Sequence, residues 1–216
     1  MSKKSVVALG LTLLLVIIDQ VIKIWVKTHF YYGEEYQITE WFRIFFIENK
    51  GMAFGMQIFP KVVLTSFRIV MSIVFVYYIV KLGRQIKAVP AWGYFVCIAM
   101  IVAGTIGNTI DCTLYGVLFD NPPYPLKATL CPDGGGYASV LNGSVVDMFY
   151  FPLAEWDWPG WMPFVGGEHF LFFQPIFNFA DANLCVGVFL LLVFYYKYIS
   201  SSLSEHEPEK TEESEN

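Results

Sequence analysis

Apolar residues along this chain gather into four runs, each close to the roughly 20 residues that a helix needs to cross a hydrocarbon core. They cover about 6–25, 62–80, 91–110 and 177–196, with polar, Gly-rich or Pro-rich stretches between them. Four such runs predict an all-α membrane protein, a bundle of four transmembrane helices. Between the first two runs, residues 36–39 and 42–49 alternate in the manner of a hairpin or small sheet. Between the last two, Asn121-Pro122-Pro123-Tyr124-Pro125 and Asp133-Gly134-Gly135-Gly136 read as turns. Trp156, Trp158 and Trp161 follow in a Pro/Gly setting, which suits either an interfacial surface against lipid headgroups or a packed loop cluster.

Lys3 and Lys4 ahead of an apolar run also match the start of a secretory leader. No small-x-small site follows, and Asp19-Gln20-Val21-Ile22-Lys23-Ile24-Trp25 carries the helix on, with Asp19 and Lys23 one turn apart, so a retained span is expected. Basic residues favour the cytoplasmic side of a membrane. Lys3 and Lys4, then Lys81, Arg84 and Lys87, then Lys197 mark one side of the bundle, so both termini are expected in the cytoplasm and the loops 28–61 and 112–176 outside.

Composition agrees with an integral membrane protein: 56% of residues are hydrophobic and only 15% charged. The net charge of -5 is local. Residues 200–216 hold six glutamates against Lys210, which leaves the body, 1–199, electrically balanced as a single membrane-embedded domain. The tail reads as a disordered acidic cytoplasmic extension, either solubilising or interacting. Cys97, Cys112, Cys131 and Cys185 form no CxxC pair, and His29, His169 and His206 show no ligand spacing, so no metal or cofactor is expected. Cys112 and Cys131 both fall on the expected outer side, where a disulfide is permitted.

Polar residues converge at the expected outer ends of the runs. Gly104, Asn108 and Asp111 share one face of the third, Asp19 and Lys23 lie at a matching level on the first, and Asn178 and Asp181 open the fourth, with Asp147 just before it. One polar side chain in a bundle is an ordinary helix-helix hydrogen bond; a cluster at one depth suggests chemistry. Two neighbouring carboxylates share a proton, so that one serves as base toward water and the other as acid toward a carbonyl and a leaving amine. A proton-coupled carrier would use the same carboxylates, though the chain shows no repeated halves, and a lipid-binding module would need neither.

At these residues the chain resembles the lipoprotein signal peptidases, also called prolipoprotein signal peptidases or signal peptidase II. The resemblance rests on Asp19-Gln20 with Lys23, Asn49-x-Gly51-x-Ala53-Phe54-Gly55, Gly107-Asn108-x-x-Asp111, Val145-Val146-Asp147 and Phe177-Asn178-x-Ala180-Asp181, in the family's order. It implies an aspartic endopeptidase of the bacterial cytoplasmic (inner) membrane that removes the signal peptide of a diacylglyceryl-modified prolipoprotein just before the lipidated cysteine. In that reading Asp147 and Asp181 are the catalytic pair, and Asp19, Lys23, Asn49, Gly51, Asn108, Asp111, Asn178 and Ala180 support the site or contact substrate. For Asp19 and Lys23 a mutually neutralising salt bridge is the alternative. The family also implies a small β-cradle from the first outer loop, a site open sideways to membrane lipid, a monomer with no nucleic-acid partner, and inhibition by globomycin.

Two departures stand out. The family places Arg after the third-span aspartate, where this chain has Cys112; Arg68 or Lys23 is the candidate substitute, unless Arg68 snorkels to the interface. Residues 113–144 and 152–174 enlarge the second outer loop, as a cap on the site, a partner surface or plain surface.

Overall fold

The computed structural model describes residues 2–49, 60–82 and 92–204. Four helices are long and apolar enough to cross a membrane. They are α1 (Lys3–His29), α2 (Lys61–Leu82), α3 (Trp92–Ile110) and α5 (Phe179–Ser204), the last running into the segment read from sequence as tail. α3 ends at the expected residue 110, and the chain continues directly into a π-helical turn (Asp111–Tyr115) and then the single turn α4 (Gly116–Leu118).

α3 is the axis of the bundle and packs against α1, α2 and α5. Its neighbours come close because of small residues: a Cβ at Gly104 would strike the Ala180 carbonyl and Leu184, and one at Gly107 would sit 3.0 Å from the Ala180 Cβ. α1 shows the solvent logic of a membrane helix. Its buried positions are Ser5, Ala8, Thr12, Val16, Asp19, Lys23, Val26 and Lys27, a stripe of small and polar residues, while Val6, Leu13, Leu14, Ile17 and Val21 are exposed. Buried hydroxyls join helices, as where Ser5 Oγ donates to the Ile79 carbonyl at 3.1 Å and Thr12 Oγ1 to that of Ala99 at 3.3 Å.

The four expected spanning helices are accompanied by small antiparallel sheets. Two antiparallel sheets cover one end of the bundle, and the second loop supplies most of their strands. β1 (Glu35–Thr39), β2 (Phe42–Asn49), β3 (Val145–Tyr150) and β6 (Ile176–Phe177) form a sheet in the order β1-β2-β3-β6, and β4 (Ala154–Asp157) pairs with β5 (His169–Phe172). β3 escaped sequence reading because Val145 through Met148 are buried on both faces, which removes the alternation that marks a half-exposed strand. Val146 and Met148 pack with Val26, Phe30, Phe46, Tyr115 and Phe119 in a core between sheet and helices. The strand's period of two therefore turns Asp147 to the opposite face. Cys112 and Cys131 are both free thiols, so the permitted disulfide is not formed.

Candidate active site

The sheet and α5 deliver the two aspartates together. Asp147 sits in β3 opposite Ile47 of β2, and the pairing of Phe149 with Phe177 leaves the next residue, Asn178, within reach of it. Asn178 then caps α5: its Oδ1 accepts from the Asp181 N–H at 2.9 Å, while Asp181 Oδ2 accepts from the Asn178 N–H at 3.4 Å. This reciprocal box fixes Asp181 in the first helical turn. Asn178 spends both amide protons as well, donating to Asp147 Oδ1 at 2.6 Å and to Asn108 Oδ1 at 3.2 Å. Asn108 Nδ2 donates to Asp181 Oδ1 at 2.7 Å. The two carboxylates are thus linked through two amides: the fully buried Asn178 side chain holds that of Asp147, Asn108 holds that of Asp181, and the two asparagines bond to each other.

The pair is unequal. Asp147 is 2% exposed, whereas Asp181 is half-buried. Burial, first, and the charge of Asp181, second, push the Asp147 carboxyl up to about 7, against the opposing hydrogen bond from Asn178. A carboxyl of that kind holds its proton near neutral pH beside a partner that can act as base.

Behind the pair lies a shell in which every buried charge is answered. Lys23 Nζ meets Asp19 at 2.9 Å, Asp111 at 2.8 Å and Asn108 Oδ1 at 2.9 Å, one contact for each of its protons. Asp19 also accepts from the Ala180 N–H at 2.9 Å, tying α1 to α5, and Asp111 from the Val146 N–H at 3.3 Å, tying α3 to β3. Gln20, whose role the sequence did not disclose, donates to Asp19, to Asp111 and to the Gly107 carbonyl, and accepts from the Tyr115 hydroxyl at 3.0 Å. Lys23 lies in an ion network with Asp19 and Asp111.

Of the remaining site candidates, Asn49 ends β2 opposite Val145 and is exposed, and Gly51 lies outside the described residues. Lys23 supplies a charge partner for Asp111. Arg68 crosses from α2 and donates to Cys112 Sγ at 2.9 Å instead of reaching only outward. A second buried lysine went unread: Lys27 pairs with Glu48 and lies 5.2 to 5.8 Å from the rings of Phe46, Phe119 and Tyr137. Its partners come from β2 and the second loop, and helical spacing cannot predict them.

The family model described as signal peptidase (SPase) II matches residues 11–197. The chain is 47% identical over 194 residues to the lipoprotein signal peptidase of Porphyromonas gingivalis, covering 90% of this chain and 84% of that protein. It is 33% identical over 223 residues to the one from Amoebophilus asiaticus, covering all of this chain and 88% of that one. Among solved structures, a bacterial membrane enzyme determined in meso at 2.3 Å aligns with a TM-score of 0.58 at 22% identity, over 97% of this chain and 94% of the other, a likeness of fold. The length of the family match and these identities establish that this chain belongs to the signal peptidase II family, the lipoprotein signal peptidases.

Proposed function

We propose that this protein is an aspartic endopeptidase that cuts a diacylglyceryl-modified prolipoprotein immediately before its lipidated cysteine. The observation that carries the reading is a pair of aspartates linked through the Asn178 and Asn108 amides, one of them protonated near neutral pH by its burial. Asp181 takes a proton from water, and the oxygen attacks the scissile carbonyl carbon. Asp147 gives its proton to the carbonyl oxygen as that oxygen gains charge. Collapse of the tetrahedral intermediate breaks the C–N bond, with a proton passed to the departing nitrogen. The products are a signal peptide ending in a carboxyl group and a lipoprotein whose cysteine bears a free amine.

Asn108 and Asn178 hold the pair apart, and Lys23, Asp19, Asp111 and Ala180 fix the helices that carry it. Asn49 and Gly51, at the end of β2 and just past it, are assigned to substrate contact. The distribution of Lys3, Lys4, Lys81, Arg84, Lys87 and Lys197 supports cytoplasmic termini in a bacterial inner membrane, with the sheet and the site at the outer face. A substrate anchored by its acyl chains then arrives sideways through the bilayer. Globomycin, on the same reading, occupies the space between the carboxylates.

The test is incubation of the purified protein with lipidated and non-lipidated precursor, followed by identification of the new N-terminus. Cleavage of the lipidated form alone, leaving modified cysteine first, is expected. A cut elsewhere, or equal cleavage of both forms, refutes the assignment.

A further inference from the structure

Away from the aspartates, a groove of about 240 Å³ runs between α2 and α3, walled by Ile69, Ile73, Ile106, Ile110 and Leu114 with Ser72, Thr109 and Thr113. Ser72 and Thr109 point their hydroxyls at each other, 3.4 Å apart, so the floor offers little to a polar ligand. The groove lies along two membrane-length helices, where its natural contents are hydrocarbon.

The end nearer the sheets is different. Arg68 precedes the groove residue Ile69, and the Cys112 that it contacts precedes the groove residue Thr113. Its guanidinium has five N–H donors, yet among the described residues it makes a single hydrogen bond, to the weak acceptor Sγ, and no ion pair. Asp111, the adjacent carboxylate, is already saturated by Lys23, Gln20 and the Val146 N–H. The Thr113 hydroxyl is buried with no hydrogen-bond partner among the described residues. Two sets of unused donors therefore flank one end of an apolar slot. A half-buried arginine left in that condition is complementary to a phosphate, which it binds through paired N–H bonds.

From this we infer that the α2/α3 groove is a binding site for an anionic glycerophospholipid, with one acyl chain between the helices and the phosphate on Arg68. Polarity fits from end to end: cation and free hydroxyl toward the rim of the membrane, isoleucines toward its middle. The assignment rests on the membrane placement of the helices and on none of the catalytic roles, so it stands or falls independently of the peptidase reading.

Native mass spectrometry of the intact protein, extracted from bilayers of equal phosphatidylglycerol and phosphatidylcholine, tests it. One retained phosphatidylglycerol is expected, favoured by about fivefold, the effect of one basic residue at an anionic surface. Arg68→Gln should retain the two lipids equally, and Ile73→Trp, which fills the slot, should retain neither. Preference unchanged in Arg68→Gln, or retention unchanged in Ile73→Trp, overturns the site. Because either variant can misfold, spin-labelled chains of both lipids are also compared on the unaltered protein, where equal immobilisation overturns the headgroup assignment. Displacement of phosphatidylglycerol one for one by a diacylglyceryl-modified peptide likewise overturns it, since the groove would then belong to the substrate.

Discussion

The network around Lys23 and the β4–β5 hairpin are both rich in ionisable residues, and they treat them oppositely. In the first, Asp19, Lys23 and Asp111 are at most 1% exposed and each is bonded to protein on every side. In the second, His169 lies between Asp157 at 2.8 Å and Glu155 at 3.7 Å, with all three exposed, and Trp161 and Phe164 project from the tip at 80% and 100% exposure. A buried charge is tolerated only where its partners are complete, so removing one member strands the others; an exposed charge has water as a substitute. The first region should respond sharply to substitution and the second hardly at all.

The largest effect is expected at the aspartates. Asp147→Asn and Asp181→Asn should each reduce cleavage of a lipidated precursor about 10³-fold or more, the scale of a lost general acid or base, with helix content unchanged. Activity close to that of the unaltered protein in either variant breaks the assignment.

Next comes Lys23→Met, which leaves two carboxylates facing each other in a dry interior. A loss of about 3–5 kcal/mol is expected in denaturant unfolding in detergent. A loss below 1 kcal/mol would mean that the shell is wetter than its burial implies, to the extent that an exposed pair is worth only about that much.

The pH dependence of stability sharpens the contrast. Folding raises the Asp147 carboxyl from 3.8 to about 7, so the folded state binds more protons than the unfolded state between those values. Stability must then fall as pH rises through that window and level off above it. Asp147→Asn lacks this slope. Its melting temperature should match the unaltered protein near pH 4, within the limits set by other groups, and exceed it above about pH 7. Parallel curves would show that Asp147 is ionised throughout.

In the hairpin, Trp161→Ser and Phe164→Ser should each change stability by less than about 0.5 kcal/mol. The smallest effect belongs to His169, raised above its ordinary 6.5 chiefly by the Asp157 hydrogen bond. A raised cation stabilises below its unfolded value and ceases to do so as pH climbs through the folded one. Amide protection factors in β4 and β5, from which the intrinsic pH dependence of exchange is divided out, should therefore fall above that point while those in β2 and β3 stay unchanged; an equal fall in all four would erase the distinction between the regions.

What could be read from the sequence follows the same division. Asp19 with Lys23, and Asn108 with Asp111, were legible because helical spacing puts residues three and four apart on one face. Their clustering stood out because carboxylates in an apolar run are costly. The strand bearing Asp147 was hidden by burial on both faces, and the Lys27 pair by its dependence on Glu48 and Tyr137, which only the β2 register and the second loop bring to α1. The Arg68 contact with Cys112 was beyond reach for a related reason. Position along α2 gave its depth, but the direction of a long flexible side chain follows from where α2 and α3 meet.

Asn178 also bears on the order of events during synthesis. One aspartate is in the last long strand to be made before the final span, the other is in that span, and the Asn178 amide that holds the first carboxylate is the cap that starts the span. The two aspartates do not come together until α5 has been inserted and docked on α3. The pair is thus a product of the last step of assembly: the two carboxylates stay apart in every nascent chain until its closing helix is in position.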